Sequence, residues 1–157
     1  MRLSPNHPTR PLSKSGEQKR FRVDDQVGYL LRLAHQRHTA NLTLRLSRFN
    51  LTPPQAVVLA RLLERNVCSQ NLLGRLVAME PANIHDVVRR LKERGLVDQS
   101  KDPNDGRLLL LSLTPQGRAL AQELIPLSTE SVADTLKPLD AAERATLRAL
   151  LKKIAAD

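Results

Sequence analysis

Ser69-Gln70-Asn71-Leu72-Leu73-Gly74-Arg75-Leu76-Val77-Ala78-Met79-Glu80-Pro81-Ala82-Asn83-Ile84-His85-Asp86-Val87-Val88-Arg89-Arg90-Leu91-Lys92-Glu93-Arg94-Gly95 is the stretch that decides the fold. Ser69 is a good N-cap, so a short helix is expected from Gln70 to Ala78. Met79-Glu80 makes a tight turn, and Glu80-Pro81 opens a longer helix that runs to Arg94 and stops at Gly95, a fitting residue beyond a helix C-terminus. Leu72, Leu73, Leu76, Val77, Ile84, Val87, Val88 and Leu91 provide the apolar faces that lock the pair together. Two such helices about a short turn are a helix-turn-helix. Asn83, His85, Asp86, Arg89, Arg90 and Glu93 are left facing outward on the second helix. The first of these lie near its N-terminus, where a recognition helix meets base edges.

Reading outward, Leu96–Ser100 and Arg107–Leu113 are expected to pair as a hairpin across the turn residues Lys101-Asp102-Pro103-Asn104-Asp105-Gly106. On the N-terminal side, Val23 to Phe49 holds no proline and one glycine. Its apolar residues at 23, 27, 30, 31, 33, 34, 42, 44, 46 and 49 cover more than one face. Such a helix must be enclosed, and in a chain this short the enclosure is a second subunit. Thr52 with Pro53 and Pro54 starts another helix to Arg65, and Asn66–Ser69 is a turn. Thr114-Pro115 caps a helix from Gln116 to about Leu136, which Pro126 is expected to bend or interrupt, and Leu139-Asp140 opens the last helix, to about Ala155. The expected fold is mainly α with a small β-hairpin wing, a winged helix-turn-helix on a helical dimerisation platform. Residues 1–20 form a disordered basic tail, 21–52 the first, dimerising helix, 53–113 the DNA-binding lobe and 114–157 the C-terminal dimerisation helices.

Composition agrees. The 157 residues are 41% hydrophobic but only 2% aromatic, so Leu, Val, Ala and Ile build the core, which suits packed helices. Lys and Arg outnumber Asp and Glu by 25 to 16, and a pI near 10.6 favours a polyanionic partner, nucleic acid before membrane. The excess lies in the N-terminal third: residues 1–52 carry ten cations against three acids, whereas 114–157 carry six of each. The tail is either an inert extension or a loose phosphate contact. A single cysteine, Cys68, excludes an internal disulfide and fits a reducing cytoplasm. Neither a run of about 18 apolar residues nor a signal-peptide core is present. Gly-rich phosphate loops, G-x-S-x-G and motif-like carboxylate clusters are also missing, which argues against an enzyme. No cofactor is expected.

Leu91-Lys92-Glu93-Arg94-Gly95-Leu96-Val97, then Asp102-Pro103-Asn104-Asp105-Gly106-Arg107, then Leu113-Thr114-Pro115-Gln116-Gly117 resemble the MarR family of transcription regulators, with its "L-x-x-x-G-L-V", "D-P-x-D-x-R" and "L-T-x-x-G" in order. The resemblance implies a dimer formed through the first and the last two helices, a recognition helix in the major groove, and a wing arginine, Arg107, in the minor groove, with Asp105 the acid that orients the wing. Gly106 and Asp86 depart from the family by standing where relatives carry basic residues, which shifts weight to Arg75, Arg89, Arg90 and the tail. His85 is a base reader, a phosphate contact or a solvated polar residue. Tyr29–Arg37, Cys68–Leu76 and Ala78–Ala82 further resemble the nicotinate-catabolism repressor branch, which implies a hydroxylated pyridine carboxylate as effector.

Arg32, His35 and His38 lie on successive turns of the first helix near Tyr29, the only tyrosine. They form a pocket for a small aromatic carboxylate (6-hydroxynicotinate-like), or half of a zinc site, or a polar pair across the dimer. Cys68 is a redox sensor or a plain structural residue. The expected function is a ligand-responsive regulator, most simply a repressor, that binds a pseudo-palindromic operator in double-stranded DNA as a homodimer. A metal- or redox-responsive regulator and an effector-free architectural DNA binder are the alternatives.

Overall fold

A computed structural model describes residues 21–156; the expected basic tail, 1–20, lies outside them. Six α-helices and three short strands follow one another: α1 Val27–Leu46, α2 Pro53–Arg65, β1 Val67–Ser69, α3 Gln70–Leu76, α4 Pro81–Glu93, β2 Val97–Lys101, β3 Leu109–Leu113, α5 Pro115–Thr135 and α6 Ala141–Ile154. The architecture is mainly α with a winged helix-turn-helix at its centre, as expected.

Local chemistry accounts for most boundaries. Thr52 caps α2 in a reciprocal box, accepting from the Gln55 N–H at 3.5 Å while Gln55 Oε1 accepts from the Thr52 N–H at 2.9 Å. Asp140 and Glu143 do the same for α6. Helix α4 ends in paired bonds, Gly95 N–H to Lys92 O and Leu96 N–H to Leu91 O, which require Gly95 at φ +67°. The same motif ends α3, with Ala78 at φ +52°. That helix therefore stops at Leu76, two residues short of expectation.

Three expectations are corrected. Residues 66–69 are not merely a turn: Val67–Ser69 pairs antiparallel with β3, Cys68 opposite Leu111, so the hairpin is the larger part of a three-stranded sheet ordered β1-β3-β2. A segment of three residues carries no periodicity, and only the distant β3 makes it a strand. The first helix is not continuous from 23 to 49: short 3-10 turns at Val23–Asp25 and Ser47–Phe49 flank α1. Gln26 is extended, and Asn50 turns left-handed at φ 51°. Of the two effects expected of Pro126, a bend or a break, the break does not occur: α5 runs through it to Thr135. Pro126 is exposed, so water can reach the carbonyl that its missing N–H leaves free.

The core lies where α2, α3, α4, the sheet and the first half of α5 meet, around Leu59, Leu62, Leu73, Leu91, Leu96 and Leu111, all but inaccessible. Helix α1 adds only Leu42 and Leu46 to it. Its apolar residues Val27, Leu30, Leu31 and Leu33 are exposed in the single chain, and no residue of α6 is buried.

Candidate nucleic-acid interface

Packing of α3 against α4 buries Leu73, Ile84, Val88 and Leu91 and half-buries Leu72, Leu76, Val77 and Val87, the eight positions expected to lock the motif. Gly74 is buried at this junction, where a Cβ would stand in ordinary contact with Ile84 Cγ2, at 3.4 Å. The opposite face of α4 then presents Asn83, His85, Arg89, Arg90 and Glu93 to solvent, with Asp86 half-buried.

The wing is shaped by its own carboxylates. Asp102 Oδ1 accepts from the N–H groups of Asn104 (2.7 Å) and Asp105 (3.2 Å), and Asp105 Oδ1 accepts from the Arg107 N–H at 3.0 Å. These side-chain-capped turns fold the tip between β2 and β3. Asp105 thus orients Arg107 through the backbone, and the guanidinium stays unpaired with any carboxylate among the described residues.

His85 and Arg107, 22 positions apart in the chain, line one cleft of about 310 Å³ between α3, α4 and the wing, with Gln70, Asn71 and Gln99. Gln70, Asn71 and Gln99 were not among the expected site residues. The polar pair that opens α3 directly after its cap was a usable signal for the first two, whereas Gln99 comes to the cleft only because β2 packs beside α4. Lys92 Nζ donates to Gln99 Oε1 across that junction. Arg75 lines a neighbouring cleft with Asn71 and Pro81. Arg89 and Arg90 are not free: both bind the Asp86 carboxylate, which they hold below the usual carboxylate range, Arg89 chiefly.

The four residues of the expected effector pocket do not converge in one chain. His35 opens onto a shallow groove of about 640 Å³ along α1, with Gln36, Thr39, Ala40, Thr43 and Leu44. His38 turns the other way, toward α5, where its Nδ1 lies 3.3 Å from Thr135 Oγ1. Arg32, one turn before His35, is exposed, and Tyr29, two turns before it, is half-buried. Cys68 is buried on β1, and burial pushes its thiol upward, against a smaller pull from Arg65. Its position near a helix start therefore does not make it a ready thiolate. Among the described residues no three His, Cys, Asp or Glu side chains are grouped to hold a metal ion, and no helix is long and apolar enough to cross a membrane.

A model of the MarR family matches residues 51–109. The HTH-type transcriptional repressor NicR of Pseudomonas putida is 37% identical over 146 residues, 93% of this chain and 92% of that protein. This chain belongs to the MarR family. Among solved structures of similar proteins, Bordetella bronchiseptica BpsR, whose DNA binding is regulated by 6-hydroxynicotinic acid, superposes with a TM-score of 0.83 at 38% identity, over 87% of this chain and 99% of that one. A MarR variant from E. coli complexed with operator DNA gives 0.77 at 28% identity, over 82% and 93%. The winged helix of this MarR-family regulator is thus shared along nearly the whole of its relatives, and those relatives are regulators rather than enzymes.

Proposed function

We propose that this MarR-family protein is a cytoplasmic homodimeric repressor that binds a pseudo-palindromic operator and leaves it when a small aromatic carboxylate binds. The DNA reading is carried by one observation: His85 of α4 and the unpaired Arg107 of the wing open onto the same cleft. In this reading α4 enters the major groove with Asn83, His85, Arg89 and Arg90, while Arg107 enters the narrow, electronegative minor groove that a helix cannot. Arg75 contacts phosphate, and Asp105 keeps the wing in shape. Two copies hold their α4 helices about one turn of DNA apart, roughly 34 Å.

Replacing Arg107 with Ala leaves the fold and the dimer unchanged and weakens DNA binding by roughly tenfold or more. It lowers the slope of log affinity against log salt by about 0.9 for each phosphate no longer neutralised. A mobility-shift titration that is unchanged with folded Arg107→Ala protein overturns the wing assignment.

The effector reading is supported by the likeness to BpsR and by the chemistry of the first helix. Arg32 offers a carboxylate its charge, His35 offers a hydrogen bond and Tyr29 offers a ring, while His38 is already engaged with Thr135 of α5. A ligand moves an equilibrium only by its differential affinity for the two states, so DNA release is the decisive measurement. Added 6-hydroxynicotinate is expected to bind by calorimetry and to release the duplex, with both effects weakened in Arg32→Ala and His35→Ala. Binding without release, or variants that respond like the native protein, would remove the effector from this site.

A further inference from the structure

The outward face of α4 carries an arrangement of charge that attraction to DNA does not call for. Asp86 precedes Arg89 by three residues and Arg90 by four, so both guanidiniums reach back to it over a single turn. Oδ1 of Asp86 accepts from Arg89 Nη2, and Oδ2 lies 3.0 Å from Arg90 Nη2. The other terminal nitrogen of Arg89, Nη1, donates to Glu93 Oε1 at 2.6 Å. One carboxylate thus spans two arginines, one arginine sits between two carboxylates, and the four charges sum to zero. Asp86, Arg89 and Arg90 are 44%, 49% and 59% exposed, and ion pairs this wet add little to stability. Arg89 and Glu93 also line a cleft of about 320 Å³ with His85, Lys92 and Gln99, beside the one that His85 shares with Arg107.

We propose that Asp86 is a specificity-determining residue of the DNA interface, holding Arg89 and Arg90 for base edges and withholding them from the phosphates of non-cognate DNA. The proposal rests on α4 facing DNA, as above. A phosphate can take either arginine only by displacing the Asp86 carboxylate, which then faces a polyanion unpaired. That penalty is the same on every sequence. At a cognate step the carboxylate stays behind its arginine, fixing the planar fork for the O6 and N7 acceptors of guanine. Asp86 therefore subtracts from phosphate-driven binding more than from base-driven binding. Its position is one where a basic residue would have served affinity alone.

The test compares a duplex enriched by selection from randomised DNA with a scrambled duplex of the same composition, by fluorescence anisotropy at several salt concentrations. Asp86→Asn is expected to tighten the scrambled duplex, steepen its salt slope by about 0.9 per additional phosphate neutralised, and cut the ratio of the two affinities roughly tenfold. Asp86→Glu, which keeps the charge and can still reach both arginines, restores the ratio. Adding Arg89→Ala and Arg90→Ala to Asp86→Asn abolishes the gain on scrambled DNA. Equal gains on both duplexes, no gain on either, or a gain that survives removal of the arginines overturns the proposal while leaving the DNA reading intact. A native protein that binds no duplex, or whose selection enriches no sequence, overturns the operator reading and this inference together.

Discussion

His38 lies in a polar seam between α1 and α5. Thr135 donates its one hydroxyl proton to Ser131 O at 2.7 Å, so its oxygen accepts from Asn41 Nδ2 and from His38 Nδ1, each at 3.3 Å. Neutral His38 therefore carries its proton on Nδ1. Arg45, one turn beyond Asn41, continues the seam by pairing with Glu130 and Asp134 of α5. Burial, and secondarily the neighbouring His35, hold His38 below the ordinary histidine range near 6.5. The unfolded chain consequently binds a proton at higher pH than the folded one. The contribution of His38 is fully present above about pH 6.5 and is lost as pH falls toward its folded value. His38→Gln is expected to flatten the pH dependence of urea stability between about pH 7 and 5. A native profile in that variant would show that another group sets the dependence.

At the scale of elements, the wing meets α5 at close quarters. Thr114 Oγ1 donates to Gly95 O at 2.8 Å and accepts from the Gly117 N–H at 2.9 Å, while the Thr114 N–H binds Leu96 O at 3.2 Å. A Cβ at position 117 would stand 1.9 Å from Leu96 O, a backbone atom that cannot swing aside. The glycine of the family's "L-T-x-x-G" thus answers to close approach, not to turn geometry. Gly117→Ala is expected to lower stability by about 3 kcal/mol or more in urea unfolding, as overpacking does when the neighbour is rigid. A decrease below about 0.5 kcal/mol, the range of a neutral surface change, would mean that α5 does not seat on Leu96 in solution. A second junction fastens the other end of the lobe: Arg94 donates to Phe49 O at 2.9 Å and to Asn50 O at 2.7 Å, tying the end of α4 to the end of α1.

At the scale of the whole molecule, the single chain leaves apolar side chains of α1 and α6 exposed. Helix α6 is anchored at its start, where Arg144 Nε donates to Leu136 O and Leu139 O, and beyond that Leu150, Leu151 and Ile154 are 50%, 40% and 66% exposed. In α1, Val27, Leu30, Leu31 and Leu33 are likewise exposed, so both helices leave large apolar side chains uncovered. A second copy is the proposed cover. Light scattering at micromolar concentration is expected to give twice the 17.6 kDa of one chain. Leu150→Glu with Ile154→Glu is expected to shift the mass toward one chain and weaken operator binding in parallel. A native monomer of full helicity would refute the platform reading.

Much of this is legible in the residues themselves. Thr52, Ser69, Thr114 and Asp140 each begin a helix, Gly95 ends one, and the Asp102–Arg107 turn makes the wing, because caps and turns are closed by partners within a few positions. Even the spacing of Asp86 from Arg89 and Arg90 is visible there, although by itself it reads as a missing cation and not as a clamp. What lies beyond reach depends on partners far along the chain. Val67–Ser69 is a strand only because β3 lies beside it, and Gly117 is indispensable only because Leu96 O is there. His35 and His38 share a helix face by spacing, yet α5 claims one and leaves the other to an open groove. Short-range hydrogen bonds are written in neighbouring residues, whereas the meeting of two surfaces is decided by burial summed over the whole chain, and only the tertiary structure carries out that sum.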